Sequence, residues 1–264
     1  MTKRIFGTRE WAKYNANCCT GCPHNCKYCY ARYNAVHKNK SMEEADWTKV
    51  VVDEEMLDAN KKFGKRSGIT MFPTRHDIVP KNLEACITVL KKLLEPGNPV
   101  LIVSKPHIFC ISKLCYDLEK WKDQILFRFT IGALDNKILR FWEPNAPSWE
   151  ERVDALNIAH EEGYRTSISM EPCLDWNHVE DNFYYLAPDV TDSIWIGTLN
   201  YIDQRVEIQN NYEAMKVRAL KAQQTDGTYR RVYDYLNGHP LVRWKDSIKE
   251  ALGLERPTEA GLDV

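Results

Sequence analysis

From Ile69 onward, apolar residues along this chain come in two alternating rhythms. Ile69 to Phe72 is a short apolar run that breaks at Pro73, the pattern of a buried strand. Leu83, Ile87, Leu90 and Leu94 then fall at i, i+4, i+7 and i+11, on one helix face. Pro96-Gly97 stops that helix, and Cys86 beside the face reads as core packing. Val100 to Ser104 predicts a strand, Ser112 to Lys122 a helix, and Leu126 to Ile131 a further strand. Ser148-Trp149-Glu150-Glu151 has capping-box form and opens a helix on which Trp149, Val153, Leu156 and His160 share a face. Gly163 closes it, so His160 reads as a helix-face residue rather than a ligand. Thr166 to Met170 and Ser193 to Leu199 supply two more strands, with a helix from about His178 to Leu186 between them.

Upstream, Trp11 to Asn17 predicts a first strand, Tyr30 to Lys38 a short helix, and Ser41-Met42-Glu43-Glu44 a second capping box. Thr48 to Lys62 mixes a β-branched run with a helical one. Strand and helix alternating over six units predict an α/β fold with a parallel sheet and helices outside it. A full barrel of this kind has eight units. Tyr201 to Val264 is polar, helical in pattern and free of cysteine. Two segments are therefore expected: a core with its lead-in over 1–200, and a helical extension over 201–264 that packs on it.

Composition narrows the function classes. At 264 residues the chain is long enough for one large core, since such barrels take about 250 residues. Its net charge of −1 gives no global basic field of the kind nucleic-acid binders use, although a local stripe would suffice. No run approaches the length of apolar sequence that a membrane span needs, and the N-terminal residues have no apolar signal core. A cytoplasmic protein without membrane contact is the expectation, and unpaired thiols suit that reducing compartment.

Candidate chemistry concentrates in Cys22-Pro23-His24-Asn25-Cys26-Lys27-Tyr28-Cys29, three thiols spaced C-x3-C-x2-C. Four cysteines satisfy every iron of a [4Fe–4S] cluster; three on one loop leave an iron open, the vacancy a metal site keeps for chemistry. A zinc knuckle would want a fourth Cys or His at finger-like spacing, and His24, flanked by the other ligands, would strain a tetrahedral site. Nine cysteines, an odd number, argue against a disulfide framework. Cys18 and Cys19 stand just before the motif, as extra ligands or as buried small hydrophobes.

The stretch Cys22 to Arg32 resembles the cluster loop of the radical S-adenosylmethionine (SAM) enzymes, and its Tyr30-Ala31-Arg32 continuation the branch of spore photoproduct lyase and DNA repair photolyase-like proteins. The resemblance implies a partial (β/α)6 TIM-type barrel, a [4Fe–4S] cluster on Cys22, Cys26 and Cys29, and SAM chelating the open iron. One electron, from a reducing partner such as flavodoxin or ferredoxin, would then cleave SAM to a 5′-deoxyadenosyl radical that takes a hydrogen atom from substrate. The cysteine-free tail leaves no place for a C-terminal auxiliary cluster, and Cys110 and Cys115 do not have ligand spacing for one.

Active sites of parallel barrels form at the carboxyl ends of strands, where this chain is rich in polar groups. Lys105 would bind the SAM carboxylate, as the resembled branch does from its third strand, and Thr130 suits the ribose. Tyr28 matches the place whose backbone lies along adenine, and His76 takes a position where the branch has a SAM-contacting Ser. Glu171 is a candidate for the SAM amine or the substrate. Cys173 is the one strand-end thiol able to act as hydrogen donor. Thr74 stands where spore lyases carry the cysteine that returns a hydrogen atom, and an alcohol O–H is too strong to replace it. In Glu143 to Pro147 and Arg152, a structural pairing of Arg152 with a nearby carboxylate and SAM contact are both open. Tyr229 to Tyr235 interleaves bases with aromatics, as single-strand binders do, or as a packing helix would. The substrate is thus a nucleic acid or nucleotide, or else a small metabolite or peptide. A methyl-donor use of SAM and a non-catalytic iron–sulfur binding protein are the competing readings.

Overall fold

In the computed structural model, which describes residues 5–261, seven strands form one parallel sheet. They are β1 (Tyr14–Asn15), β4 (Thr70–Phe72), β5 (Val100–Ser104), β6 (Ile125–Thr130), β7 (Arg165–Met170), β8 (Ser193–Ile196) and β9 (Val242–Trp244), paired in that order. The remaining two, β2 (Cys19–Thr20) and β3 (Val51–Val52), make a small antiparallel pair beside the sheet. β1 and β9 are the edges of the large sheet, so the barrel is open rather than closed. Residues 1–4 and 262–264, the outer ends of the two expected segments, lie outside the described residues.

Period two sorts the strand residues. Phe72, Ile102, Phe127, Phe129, Ile168, Met170, Ile194 and Ile196 are fully buried under the helices Leu83–Leu94, Ile108–Leu118, Trp149–Glu161 and Val179–Leu186. Each such side chain contributes about 1.5–3 kcal/mol by leaving water. The alternate residues face the barrel interior, where Met71, Leu101 and Trp195 pack with Trp11. Arg128 lies in the same interior, its guanidinium 4.6 Å from the Trp11 ring and 5.3 Å from that of Trp195, with Nε donating to Ser167 Oγ at 2.9 Å. One face of every strand is thus apolar and the other is partly polar. This asymmetry gives the barrel a wet end.

The expected strands and helices form, with local departures. The helix expected at Ser112–Lys122 starts earlier, at Ile108, and tightens after Leu118 into a 3₁₀ segment through Gln124. Ser148 caps its helix as the sequence indicated, accepting from Glu151 N at 3.3 Å. Ser41 caps nothing: Glu44–Asp46 forms one 3₁₀ turn with Glu43 at its N-cap, too short to present a helix terminus there. Tyr30–Lys38 begins with one α turn and widens to π geometry after Arg32. The helix Asn136–Trp142, capped by Asp135, has no counterpart among the sequence expectations.

The main departure is in the tail, expected to be helical throughout. After the helices Asn211–Gln223 and Asp226–Leu236 it contributes β9, which pairs with β8 and joins both expected segments in one sheet. Three residues are too few to carry a period-two signal; their pairing with β8 makes the strand. Lys245 follows and is buried, its Nζ 2.7 Å from Glu10 Oε1, 3.2 Å from Glu171 Oε2 and 3.0 Å from Gly7 O. Gly197 admits it, because a Cβ there would lie 2.7 Å from Lys245 Cγ. Removing one member of a buried ion network strands the others, at about 3–5 kcal/mol. Lys245→Met is expected to lower unfolding stability by that order in urea titration; an unchanged midpoint would show that the tail is not anchored through this ion network.

Candidate active site

Backbone constraints shape the cysteine loop. Gly21 sits at φ +83, where a Cβ would lie 2.0 Å from Lys49 O, so glycine is required. Asn25 adopts the left-handed conformation at φ 50, which its short polar side chain tolerates. Neighbouring segments then pin the loop: Cys22 N donates to Trp47 O at 2.8 Å, Lys27 N to Trp142 O at 2.8 Å, and Asn145 Nδ2 to Pro23 O at 2.9 Å. Lys27 Nζ also reaches Glu213 Oε1 of the tail at 2.9 Å. Cys22, Cys26 and Cys29 consequently line one cavity of about 520 Å³. That volume is within the about 300–1,000 Å³ of small-molecule sites.

The cavity lies at the carboxyl ends of the parallel strands. Lys105 follows β5, Thr130 ends β6, Glu171 follows β7 and Thr198 follows β8, and all four line it. Burial pushes the Cys22 thiol up to about 12 and raises Cys26 and Cys29 as well, so the three become thiolates only against a metal. Three thiols on one cavity wall, those of Cys22 and Cys26 buried and that of Cys29 half-buried, with no other described cysteine lining it, fit a cluster that keeps one iron open. His24 is unavailable as a fourth ligand by its contacts: Nδ1 meets Asp77 Oδ2 at 2.8 Å and Nε2 meets His107 Nε2 at 3.0 Å.

Asp77 is the centre of the polar wall. Its Oδ1 accepts from Lys105 N at 2.9 Å and Ser104 Oγ at 3.1 Å, while Oδ2 lies 3.7 Å from Lys105 Nζ and 3.8 Å from Cys22 Sγ. Burial alone would raise this carboxyl, but Lys105 and His24 outweigh burial and hold it well below the carboxylate range. Burial likewise works against the Lys105 charge, and Asp77 with its anionic neighbours holds that ammonium well above its ordinary value. Lys105 is therefore a permanent cation on the cavity wall.

The other expected site residues fall into three groups. Lys105, Thr130 and Glu171 share the cavity with the cysteines, although Glu171 is already partnered by Lys245. Tyr28 and His76 also line it, with their side chains committed elsewhere. Tyr28 Oη donates to Glu143 Oε1, and Glu143 pairs with Arg152 Nη2 at 2.5 Å with both side chains buried. That is the ion-pair alternative for the Glu143 to Arg152 stretch. The His76 ring lies between Cys18 N, at 3.3 Å from Nε2, and Asp77 O, at 3.1 Å from Nδ1. Cys173 is not brought to the cavity: it is 1% exposed in the core, where burial drives its thiol up, and the strand-end turn aims its neighbour Pro172 at the cavity instead.

Sequence reasoning did not single out Asp77 as a hub, nor Glu10, Lys245 and the His24–His107 contact. Asp77 follows His76 in the loop after β4 and could have been raised by that position. Glu10 and Lys245 carry no local signal. The aromatic-basic stripe Tyr229 to Tyr235 is largely spent on packing: Tyr229 lies 4.9 Å from the Trp176 ring, Tyr233 lies 5.3 Å from that of Trp244, and Arg231 pairs with Glu180.

An open parallel α/β barrel with three cysteines of one loop on its strand-end cavity defines a class of cofactor enzyme. The chain belongs to the radical SAM superfamily, whose family model matches residues 17–175. It is similar to an uncharacterized protein of Methanocaldococcus jannaschii, 28% identical over 66% of this chain and 69% of that one. It is also similar to an uncharacterized protein of Acidianus two-tailed virus, 24% identical over 63% of this chain and 58% of the viral one. The match thus spans less than two thirds of that viral relative. A spore photoproduct lyase variant solved with bound AdoMet and dinucleoside spore photoproduct shares the fold at a TM-score of 0.52, with 14% identity, covering 88% of this chain and 76% of that one. A second variant of the same lyase gives 0.51 and 15% identity, over 92% and 79%. Superfamily membership makes the chain an enzyme and implies SAM, an iron–sulfur cluster and a reductant. No described helix is long and apolar enough to cross a membrane.

The Glu143–Arg152 pair gives a pH test of the wall behind Tyr28. Burial raises the Glu143 carboxyl, but Arg152, Lys105 and Tyr28 outweigh it and hold it below its ordinary value. A depressed carboxyl stabilises the fold above the carboxylate range and loses that contribution as pH falls through its folded value. In Arg152→Met the carboxyl stays buried without its main partner, so its pKa rises and the sign reverses. Urea unfolding is expected to show a loss of about 3–5 kcal/mol at neutral pH. The gap to the parent should narrow on acidification; a gap independent of pH would mean that lost packing, not the stranded carboxylate, causes the defect.

Proposed function

We propose that the chain reductively cleaves SAM at a [4Fe–4S] cluster held by Cys22, Cys26 and Cys29, and that the resulting 5′-deoxyadenosyl radical abstracts a hydrogen atom from a nucleotide or nucleic-acid substrate. The observation that carries this reading is the convergence of all three thiols with the Lys105 ammonium on one strand-end cavity. The cluster and SAM supply the radical chemistry; the protein supplies position and exclusion of water. Lys105 offers a fixed positive charge for the SAM carboxylate, and Asp77 keeps it in place from one side. Thr130 offers a hydroxyl to the ribose, its carbonyl being held by Arg152 Nη1 at 3.1 Å. Glu171 is the acceptor for an amine, oriented by Lys245. Flavodoxin or ferredoxin is the class of reductant such a site takes. The core over 1–200 carries the cysteines, Lys105, Thr130 and Glu171, and the extension over 201–264 packs on it and supplies Lys245.

Product analysis tests this. After anaerobic reconstitution, SAM and dithionite should yield 5′-deoxyadenosine with the native protein and none with Cys26→Ala. An assembled cluster with intact SAM, and no change in its EPR signal when SAM is added, would favour the non-catalytic iron–sulfur protein. Methylthioadenosine or S-adenosylhomocysteine in place of 5′-deoxyadenosine would indicate a different use of SAM.

The substrate class rests on the cavity mouth. Arg205 lies 4.9 Å from the ring of the exposed Tyr201 and 6.0 Å from that of Tyr30, and Arg75 lines the same opening. Planar guanidinium and phenol groups beside one another suit a base stacked near a phosphate. The departure at Thr74 stands, and no cavity cysteine remains to return a hydrogen atom, so the reaction need not be that of the spore lyases. Binding of a short single-stranded oligonucleotide is expected to weaken with salt and to fall about tenfold in Arg205→Ala, one stacked base contributing about 1–3 kcal/mol. Absence of binding at low salt would turn the substrate reading to a small metabolite or peptide.

A further inference from the structure

We infer that Cys18, Cys19, Cys86 and His76 form a second metal site, a buried tetrahedral zinc centre at the root of the cluster loop. The four come from three separate segments: the lead-in at β2, the loop leaving β4, and the helix Leu83–Leu94. Cys18 Sγ lies 3.6 Å from Cys19 Sγ, 3.6 Å from Cys86 Sγ and 3.9 Å from His76 Nε2. The ligand atoms of Cys18, Cys19 and His76 all fall within 4.8 Å of one another. Cys86 Sγ is outside that mutual set and contacts it through Cys18. Zinc–sulfur bonds of about 2.3 Å meeting at tetrahedral angles put sulfurs about 3.8 Å apart, so both 3.6 Å separations from Cys18 suit one shared ion, which Cys86 would complete by turning toward Cys19 and His76.

The donor set selects the metal. Three thiols and an imidazole are soft ligands, and the Cys₃His combination is a closed structural zinc set. The histidine is held in the form a metal needs. His76 Nδ1 faces the Asp77 carbonyl, an acceptor, at 3.1 Å and Asn82 Nδ2 at a longer 3.4 Å, and the closer contact places the ring proton on Nδ1. Nε2 is then unprotonated, and its one contact outside the thiols is Cys18 N at a long 3.3 Å, which a metal would displace. Cys18 and Cys86 are fully buried, Cys19 nearly so, and none of the three lines the cavity. Of the four, His76 alone also lines the cavity, so the three thiols are closed off from substrate, and the site is distinct from the cluster loop.

Its place in the fold gives it a task. His76 is the residue before Asp77, the carboxylate that holds Lys105 and His24. An ion binding residues 18, 19, 76 and 86 would tie the start of the cluster loop and the Asp77 turn to a rigid helix, ahead of any cluster assembly.

The test uses the full chain, produced with iron and zinc both supplied and purified anaerobically. Elemental analysis is expected to find about one zinc per chain besides cluster iron, and zinc K-edge absorption to show three sulfurs at about 2.3 Å and one nitrogen at about 2.0 Å. Cys26→Ala should lose iron and keep both the zinc and its spectrum, which separates this site from zinc misloaded on the cluster loop. Cys19→Ser and Cys86→Ser should yield zinc to a chelator at least about tenfold more readily than the parent. If either serine variant fails to fold, the Cys26→Ala spectrum still decides. Absence of zinc from the native protein, loss of zinc in Cys26→Ala, or a disulfide joining Cys18 to Cys86 would each overturn the assignment.

Discussion

Everything at the working end of this barrel depends on one mostly buried carboxylate. Asp77 leaves β4 and binds the backbone of Lys105 after β5, the imidazole of His24 inside the cluster loop, and the hydroxyl of Ser104. A carboxylate out of water would be unfavourable by several kcal/mol if left alone. Here a mostly buried ammonium, a histidine and two further hydrogen bonds satisfy it, so the charge is retained and its geometry is set from three directions. The cluster loop, the end of one strand and the end of the next are fixed relative to one another by a single group.

The same logic recurs deeper in the barrel. Arg128 between two tryptophans, Lys245 between two carboxylates, and Arg152 beside Glu143 are all charges inside the fold, and each is matched by a partner or a ring face. Such groups add little net stability over apolar residues of the same shape. They do make the interior polar at defined points. The outer faces of the strands carry the apolar burial that stabilises the fold, leaving the inner faces free to be chemical.

How much was legible follows from the range of each interaction. The five strands from β4 to β8 and the four helices packed beneath them could be placed from periodicity, because i+4 and i+2 patterns are properties of neighbouring residues. Capping at Ser148 was legible for the same reason, whereas Ser41 shows that a capping-box pattern without an apolar helix behind it makes no cap. Cys173 illustrates the opposite limit. Strand-end position suggested exposure to the cavity, but the turn after β7 buries that thiol while Pro172 faces inward. Sequence position gives the end of a strand, not the direction of the side chain.

The amino-acid sequence alone determined the alternating α/β architecture and the three-thiol loop, because both are written in local spacing. Tertiary structure decided the rest. β9 exists only through pairing with β8, and Glu10 meets Lys245 across nearly the whole chain. Cys18 meets Cys86, and Tyr28 meets Glu143, for the same reason. Folding of the open sheet brings residues together that no periodicity relates. The positions of charge and thiol that govern reactivity are therefore set by the fold, not by the chain's local order.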